Sequence, residues 1–123
     1  MLDHLELAVA DLHRASQFYS AALAPLGYEL RVTGTLWGFG VDMDSLDFWL
    51  RHGPVSTPRP HFAFRCSSRD LVEAAHRAGL DAGGTDNGVP QLLARIHPHY
   101  YAGFVLDPDG HNVEFVCQRA QEA

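Results

Sequence analysis

The chain has 123 residues, enough for one domain with a real core and too few for two. Apolar residues make up 46% and charged residues 20%, and no apolar run approaches the ~18 to 20 residues of a membrane span. A net charge of −6 argues against a nucleic-acid partner, and the absence of any lysine removes Schiff-base chemistry and a Walker lysine.

The opening MLDHLELAVAD carries acids and no basic stretch. No secretory signal is therefore expected, and the cytoplasm is the expected compartment. Residues 4–9, HLELAV, alternate as a strand does. Asp11 is placed to cap a helix whose Leu12, Ala15, Phe18, Tyr19, Ala22 and Leu23 form one apolar stripe ending near Gly27. Strands follow at about 28–33, 36–41 and 46–51, the last two joined by the turn DMDS.

PVSTPRP (54–60) reads as a linker, and the pattern then begins again. Residues 61–66, HFAFRC, alternate as a strand. Ser67 with Asp70 resembles a capping box for a second helix, whose end Gly79 suits. The segment 81–95 is dense in turn signals and is predicted to be a long irregular excursion, with one strand short or absent there. Strands at about 100–106 and 111–118 are joined by DPDG. The chain is thus predicted to be a single domain of two βαβββ-like modules, 1–53 and 61–118, with a tail at 119–123.

Strand side chains alternate between faces. Leu5, Leu7 and Val9 share one face, as do Phe62, Phe64 and Cys66, and Val113, Phe115 and Cys117. The helices need these apolar faces, so His4, His61 and Glu114 project from the other side of the sheet. Cys66 and Cys117 read as buried, reduced thiols. With DPDG as a four-residue loop, Leu106 pairs with His111, Gly103 lies opposite Glu114 and Tyr101 opposite Val116. The same count across DMDS puts Gly38 opposite Trp49, and each glycine would leave space over the sheet for a ligand. Two imidazoles and a carboxylate on one concave face match the facial triad that leaves metal positions open for substrate. Three unrelated polar residues on a solvated face would give the same pattern.

LDHLELAVADL, LAPLGYE, HFAF, GGTDNG, YYAGFVLDPDG and HNVEFV keep their order over nearly the whole chain. Together they resemble the vicinal oxygen chelate superfamily of glyoxalase I, bleomycin-resistance proteins, fosfomycin-resistance transferases and extradiol dioxygenases. The resemblance implies an α+β fold in which paired βαβββ modules form a cupped, mostly antiparallel sheet with helices outside, usually completed in a homodimer. The metal-ligand positions of glyoxalase I fall on His4, Trp49, His61 and Glu114, of which Trp49 cannot ligate, so glyoxalase I activity itself is not expected. A His, His, Glu set is similar instead to the fosfomycin-resistance and extradiol branches.

The expected cofactor is therefore a divalent Fe, Mn, Zn or Ni ion that chelates two oxygens of a small-molecule substrate and stabilises a developing enolate or catecholate. The expected reaction is that of a lyase, transferase or dioxygenase. His97, His99 and Tyr101 are the candidates for acid–base or orienting roles, and a solvated loop is the plainer account of the two histidines. Trp49, Tyr101 and Trp37 are candidates to line a cleft; Trp49 reads equally as a stacking wall or as core. Asp107 and Asp109 read as turn formers. A metal-free protein that sequesters an aromatic or drug-like compound is the competing expectation.

Overall fold

A computed structural model describes residues 1–121, so the last two residues of the expected tail lie outside the described residues. The first module is β1 (Leu5–Val9), α1 (Leu12–Leu23), β2 (Glu29–Val32), β3 (Leu36–Gly40) and β4 (Leu46–His52). The second is β5 (His61–Arg65), α2 (Arg69–Asp81), β6 (Thr85–Leu92), β7 (Tyr101–Leu106) and β8 (Asn112–Cys117). Each module forms a four-stranded sheet, ordered β1-β4-β3-β2 and β5-β8-β7-β6. In both, the first strand runs parallel to the last and the other pairings are antiparallel. This is the α+β, twice-repeated βαβββ architecture that the sequence predicts.

Local chemistry sets the helix limits. The Asp11 carboxylate accepts the Arg14 N–H at 3.0 Å, capping α1, and a 3₁₀ turn closes at Gly27, whose φ of 86° is left-handed. Two local expectations need correction. Ser68, not Ser67, caps α2 by accepting the Leu71 N–H at 3.2 Å. Gly79 does not end α2, which continues to Asp81. A Cβ there would meet Phe18 at 3.3 Å and Ala22 at 3.6 Å, so the glycine lets α1 and α2 approach closely.

The 81–95 excursion is also corrected: β6 is an eight-residue strand. Its ladder with β7 shifts register around Gly88 (φ 150°) and again before Gln91. Glycine and Pro90 therefore mark irregularities on an edge strand, where proline breaks no second ladder. His76 on α2 holds this edge through Nε2 at 3.0 Å from Asp86 Oδ1.

One core joins the modules. Leu7, Val9, Phe39, Phe48 and Leu50 of the first sheet are buried with Val105, Val113, Phe115 and Cys117 of the second, around Phe18, Tyr19, Val72 and Ala75 of the helices. Phe48 is its hub, with ring centroids 4.7 Å from Tyr19, 5.8 Å from Phe62 and 5.3 Å from Phe64. Offset and edge contacts of this kind add ~0.5 to 1.5 kcal/mol per pair beyond area burial. Because the two sheets share their helix-side faces, their helix-free faces turn outward from this core.

Cys66 and Cys117 are buried free thiols, as expected. Burial, with Cys117 alongside, pushes the Cys66 thiol up to about 12. Native protein at pH 8 is accordingly expected to leave both unreacted with a chromogenic disulfide reagent, and two thiols to react after unfolding. Rapid native reaction would show that the β5–β8 end opens readily.

The DPDG turn is more than a turn. The Asp107 carboxylate accepts the Tyr19 hydroxyl at 2.5 Å, the His111 Nδ1–H at 2.8 Å, and the backbone N–H groups of Asp109 and His111 at 2.9 Å each. The His111 side chain is wholly buried and not merely the exit of the turn. Asp109 in turn accepts the Ala10 N–H at 3.2 Å, and its backbone oxygen accepts from Arg59 at 2.6 Å. The second module's hairpin is thus fastened to the start of the first helix.

Candidate functional site

β7 and β8 pair one residue away from the expected register. Leu106 faces Asn112, Phe104 faces Glu114, Gly103 faces Phe115 and Tyr101 faces Cys117. The loop contains five residues because the Asp107 carboxylate gathers both the Asp109 and His111 N–H groups into it. A shift of one exchanges the faces of a whole strand. Tyr101 therefore lies on the helix side, donating to Glu73 at 2.6 Å beneath the Arg69 guanidinium, and does not join Glu114. Gly103 also faces inward, where a Cβ would meet Pro90 at 2.9 Å and His76 at 3.2 Å, so it opens no space beside Glu114.

Tyr100 takes the place that Tyr101 was expected to fill. Glu114 is 4% exposed on the helix-free face of the second sheet, and both of its oxygens are engaged. Oε2 accepts the Tyr100 hydroxyl, and Oε1 lies 2.9 Å from His61 Nε2. His61 Nδ1 sits 2.8 Å from the Asn112 carbonyl oxygen. A carbonyl only accepts, so Nδ1 carries the hydrogen and Nε2 turns toward Glu114. A neutral imidazole and an ionised carboxylate would then present two lone pairs to each other. The pair calls for a positive centre, either a proton or a metal ion. Two ligands at right angles with bonds of ~2.0 to 2.2 Å have their donor atoms about 3 Å apart, so the separation fits a shared metal as well as a shared proton.

Burial, followed by the neighbouring Glu114 carboxylate, pushes the Tyr100 phenol up to about 12, so near neutral pH it is a hydrogen-bond donor. Tyr100 packs with Phe104 against the small cluster of Leu93, Ala102 and Val116. The loop before it is closed by Leu93 N–H to Tyr100 O at 2.7 Å and Tyr100 N–H to His97 O at 3.1 Å. His97 and His99 are exposed on this loop, with His97 Nδ1 accepting the His99 N–H at 3.1 Å, and neither is bonded to Glu114.

The first sheet carries the other half of the expected set. His4 is exposed, with Nδ1 held 2.7 Å from the Asp3 carboxylate, so that Nε2 is the nitrogen it turns outward. A pocket of about 370 Å³ is lined by Asp3, His4, Glu6, Leu36, Leu46 and Trp49. Gly38 does face Trp49, but a Cβ there would lie 2.6 Å from the indole, so the space it makes is filled by Trp49 itself. The indole N–H donates to Leu46 O at 2.9 Å. Trp37 lies on the opposite, helix-side face, edge-on to His13 at 5.3 Å. Hollows also open at the start of α2 and beside Arg65, and neither is lined by His4, His61 or Glu114.

Among the described residues, no group of three or more His, Cys, Asp or Glu side chains is gathered closely enough to hold a metal ion. One chain thus brings His61, Glu114 and Tyr100 together and leaves His4 apart, with Trp49, on the other sheet.

Comparison with known proteins agrees with this architecture. A glyoxalase/bleomycin resistance protein from Albidiferax ferrireducens T118 superposes with a TM-score of 0.79 at 22% identity, over 94% of this chain and 97% of that one. A glyoxalase/bleomycin resistance protein/dioxygenase family enzyme from Burkholderia phytofirmans PsJN gives a TM-score of 0.73 at 15% identity, over 96% and 98%. A glyoxalase-related enzyme from Fulvimarina pelagi gives 0.71 at 19%, over 95% and 87%. No curated protein gives a significant match. The family model for the Glyoxalase/Bleomycin resistance protein/Dioxygenase superfamily matches residues 1–115, and the chain belongs to that superfamily.

Proposed function

We propose that the chain is a divalent-metal-dependent enzyme acting on a small oxygenated molecule that chelates the metal through two oxygens. His61 and Glu114 hold the metal together with His4 of a second copy of the chain. The observation that carries this reading is the convergence of His61 Nε2 and Glu114 Oε1 at 2.9 Å, with His61 Nδ1 tied to a carbonyl. Metal-ligating histidines are oriented in this way, by a partner on the other ring nitrogen, and His4 has such a partner in Asp3. Two imidazoles and a carboxylate suit Fe, Mn, Zn or Ni, and a bound ion would act as a Lewis acid toward the chelating oxygens. Trp49, at the position where a fourth ligand would stand, offers an apolar wall instead, which disfavours glyoxalase I among the lyase, transferase and dioxygenase reactions open to such a site.

A second copy enters because the helix-free faces diverge within one chain. A homodimer that apposes the first sheet of one copy to the second sheet of the other closes a cup around the metal and the Trp49 pocket. Protein reconstituted with Fe(II), Mn, Zn or Ni is expected to hold one metal per chain, and His61→Ala to hold none. Absence of stoichiometric metal after reconstitution would overturn the reading. A metal-free protein that binds an aromatic or drug-like compound is the second reading, favoured by the pocket against Trp49, Leu36 and Leu46. Loss of such binding in Trp49→Ala, with no metal requirement, would establish it.

A further inference from the structure

We infer that Tyr100 is a positioning residue that makes Glu114 a one-oxygen ligand. This rests on the metal reading above and adds the coordination mode, which that reading leaves open. Glu114 has two carboxylate oxygens, and the structure divides them: Oε1 faces His61 Nε2, while Oε2 accepts the Tyr100 hydroxyl. A carboxylate whose second oxygen is held by a phenol offers one oxygen to a metal; released, it can swing both toward the ion.

The phenol is placed to do this by the fold. Its ring packs on Leu93, Ala102 and Val116, and its backbone is bonded at both N–H and C=O across the 93–100 loop. Glu114 is itself buried between Phe104 and Ala63, its register partners on β7 and β5, which leaves the carboxylate little room to turn without the phenol moving. One-oxygen ligation keeps a metal position open, which a substrate chelating through two oxygens requires. Tyr100 therefore preserves substrate access without touching the metal.

Tyr100→Phe removes only the hydroxyl and keeps the packed ring. The test is a Co(II) titration of wild type, Tyr100→Phe and Tyr101→Phe, reading dissociation constant and visible spectrum, with thermal unfolding to confirm the fold. Tyr101→Phe removes a phenol from the opposite face and is expected to match wild type. Tyr100→Phe is expected to shift the Co(II) dissociation constant by about 10-fold or more, the usual size of effect when an outer-shell partner is lost. Its d–d bands should also fall in intensity as the second carboxylate oxygen joins the metal and the coordination number rises. An unchanged constant and spectrum in Tyr100→Phe would overturn the inference while leaving the metal reading standing. A wild type that binds no Co(II) would overturn both. A purple band with Fe(III) in wild type that Tyr100→Phe abolishes would show the phenol to be a ligand itself, which also overturns it.

Discussion

Asp107→Ala is expected to lower the unfolding free energy by about 3 to 5 kcal/mol, measured by urea denaturation. The Asp107 and His111 side chains are both fully buried, and the carboxylate is the common acceptor for the Tyr19 hydroxyl, the His111 ring and two backbone N–H groups. Removing it leaves four donors, three of them buried, each of those worth about 1 to 3 kcal/mol if wholly unsatisfied, and relaxation of the turn recovers part of that sum. Burial, followed by Asp107 itself, holds the Tyr19 phenol well above its ordinary range, so Tyr19 donates at every ordinary pH and needs the acceptor. Asp107→Asn should cost less, about 1 to 3 kcal/mol. Its amide oxygen can serve the backbone donors, but its amide N–H groups meet two further donors. His111 can adapt only by moving its hydrogen to Nε2, a buried atom with no partner. A loss below about 1 kcal/mol for Asp107→Ala would mean that DPDG is only a turn and that the modules are held by apolar packing alone.

The parts of this fold that were legible in the sequence are those where one face differs from the other. HLELAV and HFAFRC alternate polar with apolar, so their helix-side residues could be assigned by period. The Asp11 cap and apolar stripe of α1 follow from local chemistry, whereas both ends of α2 were misplaced. The strand YYAGFVL is apolar on both faces. Leu93, Ala102 and Val116 form a small cluster on the side of the sheet away from the main core. Periodicity therefore could not choose between Tyr100 and Tyr101, and the choice fell to a loop count. That count failed because Asp107 spends its carboxylate inside the loop and lengthens it by one residue. A chain with a buried Asp at i and a buried His at i+4 around Pro-Asp-Gly carries a hint of this, since a solvated turn needs neither.

The glycine opposite Trp49 shows a different limit. The register Gly38↔Trp49 was legible, yet a bulge at Asp47 intervenes, and Gly40 pairs with Leu46. Sequence could place the glycine beside the indole but not tell whether a ligand or the indole itself fills the gap. Alternation could put His61 and Glu114 on one face of the second sheet, and there they do meet, whereas His4 precedes β1 in the other module. The assembly of all three was not legible, because alternation gives a face and says nothing about what the face meets. Among the described residues of one chain, His4 is not gathered with His61 and Glu114.

Complementation between variants is expected to produce the largest functional effect and to decide how the site is put together. In the proposed dimer each site takes His61 and Glu114 from one copy and His4 from the other. His4→Ala and Glu114→Ala homodimers then lack a ligand in both sites and should hold no stoichiometric metal. A heterodimer of the two, isolated through different affinity tags, carries both defects in one site and neither in the other, as two-fold symmetry requires. It should hold one metal per dimer, and random re-pairing of an equal mixture should restore about a quarter of all sites. A site assembled within a single chain would give no restoration, since each copy would still lack its own ligand. Metal retained by the His4→Ala homodimer would remove His4 from the set and leave His61, Glu114 and Tyr100 as the centre. The heterodimer separates these cases because the geometry allows few others: His61 and Glu114 converge within one chain, and His4 stands on a face directed elsewhere.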